Sequence, residues 1–173
     1  MDQTQMPWYN STGHEVFEAG PTRGLHYPVF WARNAALIEK RAQMIRVVSF
    51  EFNPFQENTW LLYDDTGACV IVDPGCYDAG EQRRLQQFIE QHTLTPVLLL
   101  NTHCHLDHIF GNAFVHRQWG LAPHIHRLDL PFLERAPQIS MMYGIPMPEP
   151  SPQPAGWLEE GQEIRFGDSR LEV

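Results

Sequence analysis

His103-Cys104-His105-Leu106-Asp107-His108 follows directly on the apolar run Pro96-Val97-Leu98-Leu99-Leu100-Asn101-Thr102. Three imidazoles and one carboxylate in six residues are the donor set of a metal site. Neutral imidazole nitrogen and carboxylate oxygen suit Zn²⁺ or a similar first-row cation. A loop leaving the end of a buried strand can turn all four side chains toward one pocket, and both metals of a paired site can draw on it. The competing reading is a solvated, histidine-rich turn. A strand before the cluster and a helix after it supply the context that such a motif requires.

Working outward, the pattern from Met44 onward is regular. Met44-Ile45-Arg46-Val47 opens a first strand, and Val48, Phe50 and Phe52 alternate with Ser49 and Glu51, which predicts one buried face. Asn58 to Tyr63 and Ala68 to Val72 read as two more strands, joined by Asp64-Asp65-Thr66-Gly67 with Gly67 as the candidate for positive φ. Leu85, Phe88, Ile89 and His92 then recur at helical spacing, with Glu81, Arg83, Arg84 and Glu90 on the opposite face. Val97 to Leu100 is a continuous apolar run, as for a strand buried on both faces. Phe110 to Trp119 and Leu128 to Arg135 read as helices, and Ala122 to His126 as a short strand. Pro146, Pro148, Pro150, Pro152 and Pro154 alternate, which excludes a helix and favours an extended connector. Glu163 to Phe166 and Arg170 to Val173 read as a hairpin around Gly167-Asp168. Residues 1–43 carry no such periodicity beyond a weak helical pattern over 31–43. They are expected to be an extension, poorly ordered or not native, with Met44 as the natural start.

The chain has 173 residues, 43% of them hydrophobic and 12% aromatic, enough for one domain with a sizeable core. Its net charge of −9 is uneven: residues 1–43 carry four basic and four acidic side chains, and 44–173 eight and seventeen. An acidic surface repels phosphate backbones, so nucleic acid is not an expected partner. Three cysteines, Cys69, Cys76 and Cys104, suggest no disulfide framework and fit a reducing compartment. Cys104 interrupts the histidine loop, but the alternation of that loop turns it away, and it is expected to be an inert, buried thiol. No run approaches the roughly 18 apolar residues of a membrane span, and no signal-peptide pattern opens the chain. A cytoplasmic location with no membrane partner is the expectation.

At these residues the chain resembles the metallo-β-lactamase superfamily, in particular its glyoxalase II-like hydrolases. The resemblance extends through Glu57-Asn58-Thr59-Trp60-Leu61-Leu62-Tyr63, then Ala68 to Gly75, then the helix from Asp78, and so covers 44–173. It implies an α/β (α+β) fold, a metallo-β-lactamase-like αββα sandwich of which this chain holds roughly the first half. It also implies that His103 and His105 ligate a first metal and that Asp107 and His108 ligate a second, with Asp107 taking part in catalysis. Asp73 would sit behind the ligands and orient the loop, a position in which a carboxylate fixes ligand tautomer and raises basicity. Asp73 read without the resemblance is a strand-ending Asp-Pro-Gly turn.

The family's further ligands, a histidine from a Gly-His-Thr/Ser-x-Gly motif, a bridging aspartate and a last histidine, have no counterpart motif here. The domain over 44–173 is therefore expected to be incomplete, truncated at its C-terminus and prone to aggregate. His116, His124 and His126 are not expected to substitute: His116 suits a helix C-terminus, as does His92, and the other two a strand. The implied activity is zinc-dependent hydrolysis of a small-molecule substrate, a thioester of the hydroxyacylglutathione type, through a metal-bound hydroxide. Two Zn²⁺ per complete site are implied, with Fe or Mn as alternatives; lactones, β-lactams and phosphodiesters are other substrates of the superfamily. The alternative reading is an inactive fragment, or a metal-binding or interaction module with an incomplete half-site. A redox role would need a flavodoxin-like segment, and the sequence shows none.

Overall fold

Large apolar side chains alternate with polar ones along β1 (Arg46–Phe52), so that Phe50 and Phe52 are buried while Ser49 and Glu51 face outward. The computed structural model describes residues 44–147 and 149–173, and the expectation for 1–43 lies outside the described residues. β1 pairs antiparallel with β2 (Glu57–Tyr63), and β2 with β3 (Ala68–Val72), across a turn in which Gly67 has φ +82°. From β3 the chain crosses over through α1 (Ala79–Gln91) to β4 (Thr95–Leu100), which lies parallel to β3. Two short helices, α2 (Leu106–Ile109) and α3 (Asn112–Trp119), lead to β5 (Pro123–His126), and α4 (Leu130–Tyr143) leads to β6 (Gly156–Leu158). The six strands form one sheet in sequence order. A separate antiparallel pair, β7 (Glu163–Phe166) and β8 (Ser169–Glu172), closes the chain.

Each face of the sheet has its own core. Phe50, Phe52, Leu61, Cys69, Ile71 and Leu99 pack under Leu85 and Ile89 of α1 and Phe114 and Val115 of α3. On the opposite face Val70, Leu100 and Leu158 meet Ile164 and Phe166 of β7. Asp64 pins that hairpin, its carboxylate accepting from Thr66 N at 2.9 Å and Asp168 N at 2.8 Å. A third cluster, Cys104, Ile109, Ile125, Leu133 and Ala136, seats α4 against the histidine loop. α1 starts where the sequence demands it: Asp78 accepts from Gly80 N and Glu81 N at 2.7 and 2.9 Å, and Glu81 reaches back to Asp78 N in a capping box.

Several expectations need correction. β4 is fully buried only at Leu99 and Leu100, and Val97, skipped by a register shift in the pairing with β3, is 37% exposed. The helix expected over 128–135 starts after a 3₁₀ turn at Arg127–Asp129 and runs on to Tyr143, through Pro137. Leu133, Ala136 and Ser140 recur on one buried face, so packing outweighs the cost of the proline. The last strand is Ser169–Glu172, one residue earlier than expected. β6 was not anticipated; its pairing with His124 to His126 comes from tertiary contact rather than periodicity.

The described part of the proline-rich stretch is a connector held down along its length. Tyr77 Oη donates to Pro146 O at 2.7 Å, Asn112 Nδ2 to Ser151 Oγ at 2.9 Å, and Ala155 N to Pro123 O at 2.9 Å.

Two glycines matter for their lack of a side chain. A Cβ at Gly75 would collide with the Glu57 carboxylate, Asp107 O and Asn53 Nδ2, and one at Gly111 with Cys76 Sγ and Pro74 O. Both backbones lie under the histidine loop, with rigid neighbours. Gly75→Ala and Gly111→Ala are each expected to destabilise the protein by about 1–3 kcal/mol in urea unfolding, while Gly120→Ala, with open space around it, tests only the cost of positive φ.

Candidate metal centre

The site forms where β3 and β4 end side by side. Asp73 leaves β3 with φ +49°, and its N–H reaches Leu100 O at 2.9 Å, which ties the two strand ends together. Its carboxylate is 3% exposed and already engaged: Oδ1 accepts from Thr102 N at 2.8 Å and Asn101 Nδ2 at 3.4 Å, and Oδ2 from Thr102 Oγ1 at 2.5 Å. Thr102 Oγ1 in turn lies 3.0 Å from His103 Nδ1. A chain of contacts therefore runs from the end of β3 to the first imidazole.

The four expected ligands fall into two adjacent pairs. His103 Nε2 and His105 Nδ1 are 3.1 Å apart, and His108 Nε2 and Asp107 Oδ2 are 3.5 Å apart. The His103 and His108 rings lie 4.0 Å apart between centroids, so the pairs are neighbours. Asp73, His103 and His108 offer donor atoms within 4.8 Å of one another. His108 Nδ1 points inward, 3.2 Å from Asp73 Oδ2 and 3.8 Å from Glu57 Oε1, but out of hydrogen-bond alignment with either.

These donors fit a divalent ion. Two ligand atoms on a tetrahedral ion with bonds of about 2.0–2.1 Å stand about 3.3–3.4 Å apart, close to both separations. Asp73 Oδ2 accepts one bond, from Thr102 Oγ1, and lies 3.2 Å from His108 Nδ1, so Asp73 stands among the possible donors as well as supporting the loop.

The electrostatics follow from burial and from the carboxylates. The Asp73 carboxylate beside Nδ1 holds His108 above the ordinary histidine range, although burial opposes it. Burial lowers His103, and the neighbouring His108 and His105 act in the same direction, favouring the neutral imidazole that a metal needs. Cys104 is 3% exposed, turned into the α4 core, and burial pushes its thiol up to about 12. That is an inert thiol.

Some residues around the site were invisible to sequence reasoning. Glu57 is 5% exposed, and burial pushes its carboxyl up to about 8. Thr59 Oγ1 donates to its Oε2 at 3.0 Å, while Oε1 has no partner. Asn53, at φ +55°, clamps the loop through Nδ2 bonds to Gly75 O and Asp107 O, both 3.0 Å. Asn101 Nδ2 donates to His108 O at 3.2 Å, and Asn112 Nδ2 to Asn101 Oδ1 at 2.9 Å. The available signal was polar residues set at buried positions of otherwise apolar segments. Of the other histidines, His116 is exposed in the last turn of α3, and His126 Nδ1 accepts from Leu128 N at 3.3 Å. His124 departs from the ordinary hydrogen bond expected of it: its Nδ1 is buried and unpartnered.

A sequence profile described as the metallo-beta-lactamase superfamily matches residues 52–173. The chain belongs to this superfamily. It is similar to the probable metallo-hydrolase YqgX of Bacillus subtilis, 34% identical over 69% of this chain and 54% of that protein. Similarity extends to the hydroxyacylglutathione hydrolase GloC of Haemophilus influenzae, 31% identical over 69% of this chain and 55% of that one. Among solved structures, TTHA1623 in a di-iron-bound form is 32% identical, with a TM-score of 0.59 over 68% of this chain and 56% of its own. This metallo-beta-lactamase superfamily chain thus spans about half the length of the curated relatives it matches. Its mixed α/β architecture, a central sheet with helices, is that of its structural neighbours. No helix among the described residues is long and apolar enough to cross a membrane.

Asp73→Ala would strand the Thr102 and Asn101 donors in a buried place. It is expected to destabilise the protein by about 2–4 kcal/mol in urea unfolding and to weaken metal affinity about 10–100-fold by competitive chelation, with Asp73→Asn intermediate in both.

Glu57 sets a pH dependence. Its carboxyl is raised from 4.5 to about 8, so between those values the folded chain keeps a proton that the unfolded chain has lost. Stability then falls as pH rises through that window. In the metal-free protein Glu57→Gln is expected to flatten the decline, by more than about 1 kcal/mol across the window in urea titrations at successive pH values.

Proposed function

We propose that the protein is a zinc-dependent hydrolase acting on a small-molecule thioester of the hydroxyacylglutathione type. The observation that carries the proposal is the pairing of donors at the ends of β3 and β4, His103 with His105 and His108 with Asp107, each pair at the spacing of two ligands on one ion. The superfamily supports hydrolysis, and the named activity of the Haemophilus influenzae relative supports the thioester. The folding unit we assign to this activity is 44–173, together with whatever further chain completes it in the whole protein.

His103 and His105 hold one ion in this reading, Asp107 and His108 a second. Zinc at such a site supplies Lewis acidity and a nucleophile available near neutral pH, and iron or manganese are its alternatives. The chain's own residues do the positioning. Asp73 fixes the loop through Thr102 and faces His108 Nδ1, so that Nε2 points toward Asp107. Asn53 and Asn101 hold the carbonyls of Asp107 and His108, keeping the ligand-bearing backbone rigid. Cys104 takes no part. A thiolate leaves without needing a proton, which suits a site whose carboxylates serve as ligands and supports.

Zinc-loaded protein is expected to release thiol from S-lactoylglutathione, followed with a thiol reagent. Chelation should abolish the release, and added Zn²⁺, Fe²⁺ or Mn²⁺ should restore it and identify the metal. His103→Ala and Asp107→Ala should each lower kcat/KM at least about 100-fold, since each removes a ligand. Tight metal binding without turnover of any thioester would instead support a metal-binding module with a half-site.

A further inference from the structure

We propose that the cleft between the Phe55 turn and α4 is an acyl pocket, which takes the aliphatic or aromatic acyl group of an anionic thioester. The proposal rests on the thioester reading above and deepens it. The cleft has a volume of about 640 Å³, within the range of ligand pockets, and His105, Leu106 and Asp107 form part of its wall. Anything bound there lies against two of the residues assigned to the metals.

The opposite wall is apolar and unpacked. One flank of α4 buries Leu133 and Ala136, while Phe132 and Met142 line the cleft from the other side at 50% and 84% exposure. Phe55 faces them across the cleft at 53%. Phe132 meets His105 edge-on, with ring centroids 6.3 Å apart, so this wall is continuous with the site. An acyl chain here would gain apolar contact, whereas the amides of a peptide-like thiol would find few partners. The acyl side of the substrate therefore lies in the cleft, and the thiol carrier points away.

Charge supplies the second argument. Arg135 lines this cleft and, like Arg83, Arg84 and Arg127, makes no ion pair among the described residues. In a chain of net charge −9, a guanidinium at the mouth of this cleft draws an anionic thioester toward the site over a distance, without a direct pairing to its carrier.

The test uses the full-length, zinc-loaded protein and a series of acetyl, butyryl, hexanoyl and phenylacetyl thioesters of glutathione. The expected result is a kcat/KM at least about tenfold higher for hexanoyl than for acetyl, since each added methylene gains apolar contact. Phe132→Ala and Met142→Glu, both at exposed positions, should collapse that ratio toward one. Binding of 4-phenylbutyrate, measured by calorimetry, should weaken at least about fivefold in both variants and in Arg135→Ala. Turnover of every thioester with no chain-length preference, and no effect of Phe132→Ala, would overturn the pocket and leave the thioesterase reading standing. Binding of 4-phenylbutyrate that Met142→Glu abolishes, with no thioester hydrolysed, would uphold the pocket and sink that reading. A dimer that Met142→Glu dissociates, with chain preference unaltered, would show the face to be an interface between copies and overturn the pocket.

Discussion

One carboxylate joins the framework to the chemistry. Asp73 ends β3, and its two oxygens accept three bonds from Asn101 and Thr102 at the end of β4. These bonds close the gap between parallel strands that share no turn, at the point where β4 gives way to the histidine loop. Charge-assisted bonds to a buried carboxylate are about twice as strong as neutral ones. Without this anchor the histidine loop would keep only the bonds from Asn53 to Asp107 O and from Asn101 to His108 O.

The anchor works because its surroundings are rigid. The core under α1 and α3 fixes β3 and β4 from one side, and the β7–β8 hairpin covers part of the other. Gly75 and Gly111 let the backbone pass so close beneath the loop that Glu57, Pro74 and Cys76 touch it. Such packing leaves polar groups in dry places, and nearly all of them are paired. Glu57 Oε1 and His108 Nδ1 are exceptions, and they face each other across 3.8 Å. Unpaired buried groups are costly, and they tend to persist where function requires them.

Much of this could be read along the chain. The alternation in β1, the glycine turn before β3 and the helix starting after Asp78 are local signals with local causes, though β1 pairs only from Arg46, two residues after its expected start. The elements that were misplaced depend on distant partners. α4 continues through Pro137 because Leu133 and Ala136 have Ile109 and Ile125 to pack against, and β6 exists because β5 offers it an edge. Val97, in an apolar run that reads as buried, stays exposed where the pairing of β3 with β4 shifts register and skips it.

The same division runs through the site. Sequence by itself determined that three histidines and an aspartate, all residue types able to bind a metal, stand within six residues after an apolar strand. It also determined the strand–loop–helix setting, through short-range periodicity. Only tertiary structure decided which atoms meet: that His103 pairs with His105 and His108 with Asp107, that Asp73 spends its oxygens on Thr102, and that Glu57 stands buried behind them. Side chains far apart in sequence converge only when the sheet forms, since register between β3 and β4 is fixed by packing on both faces rather than by any connecting turn.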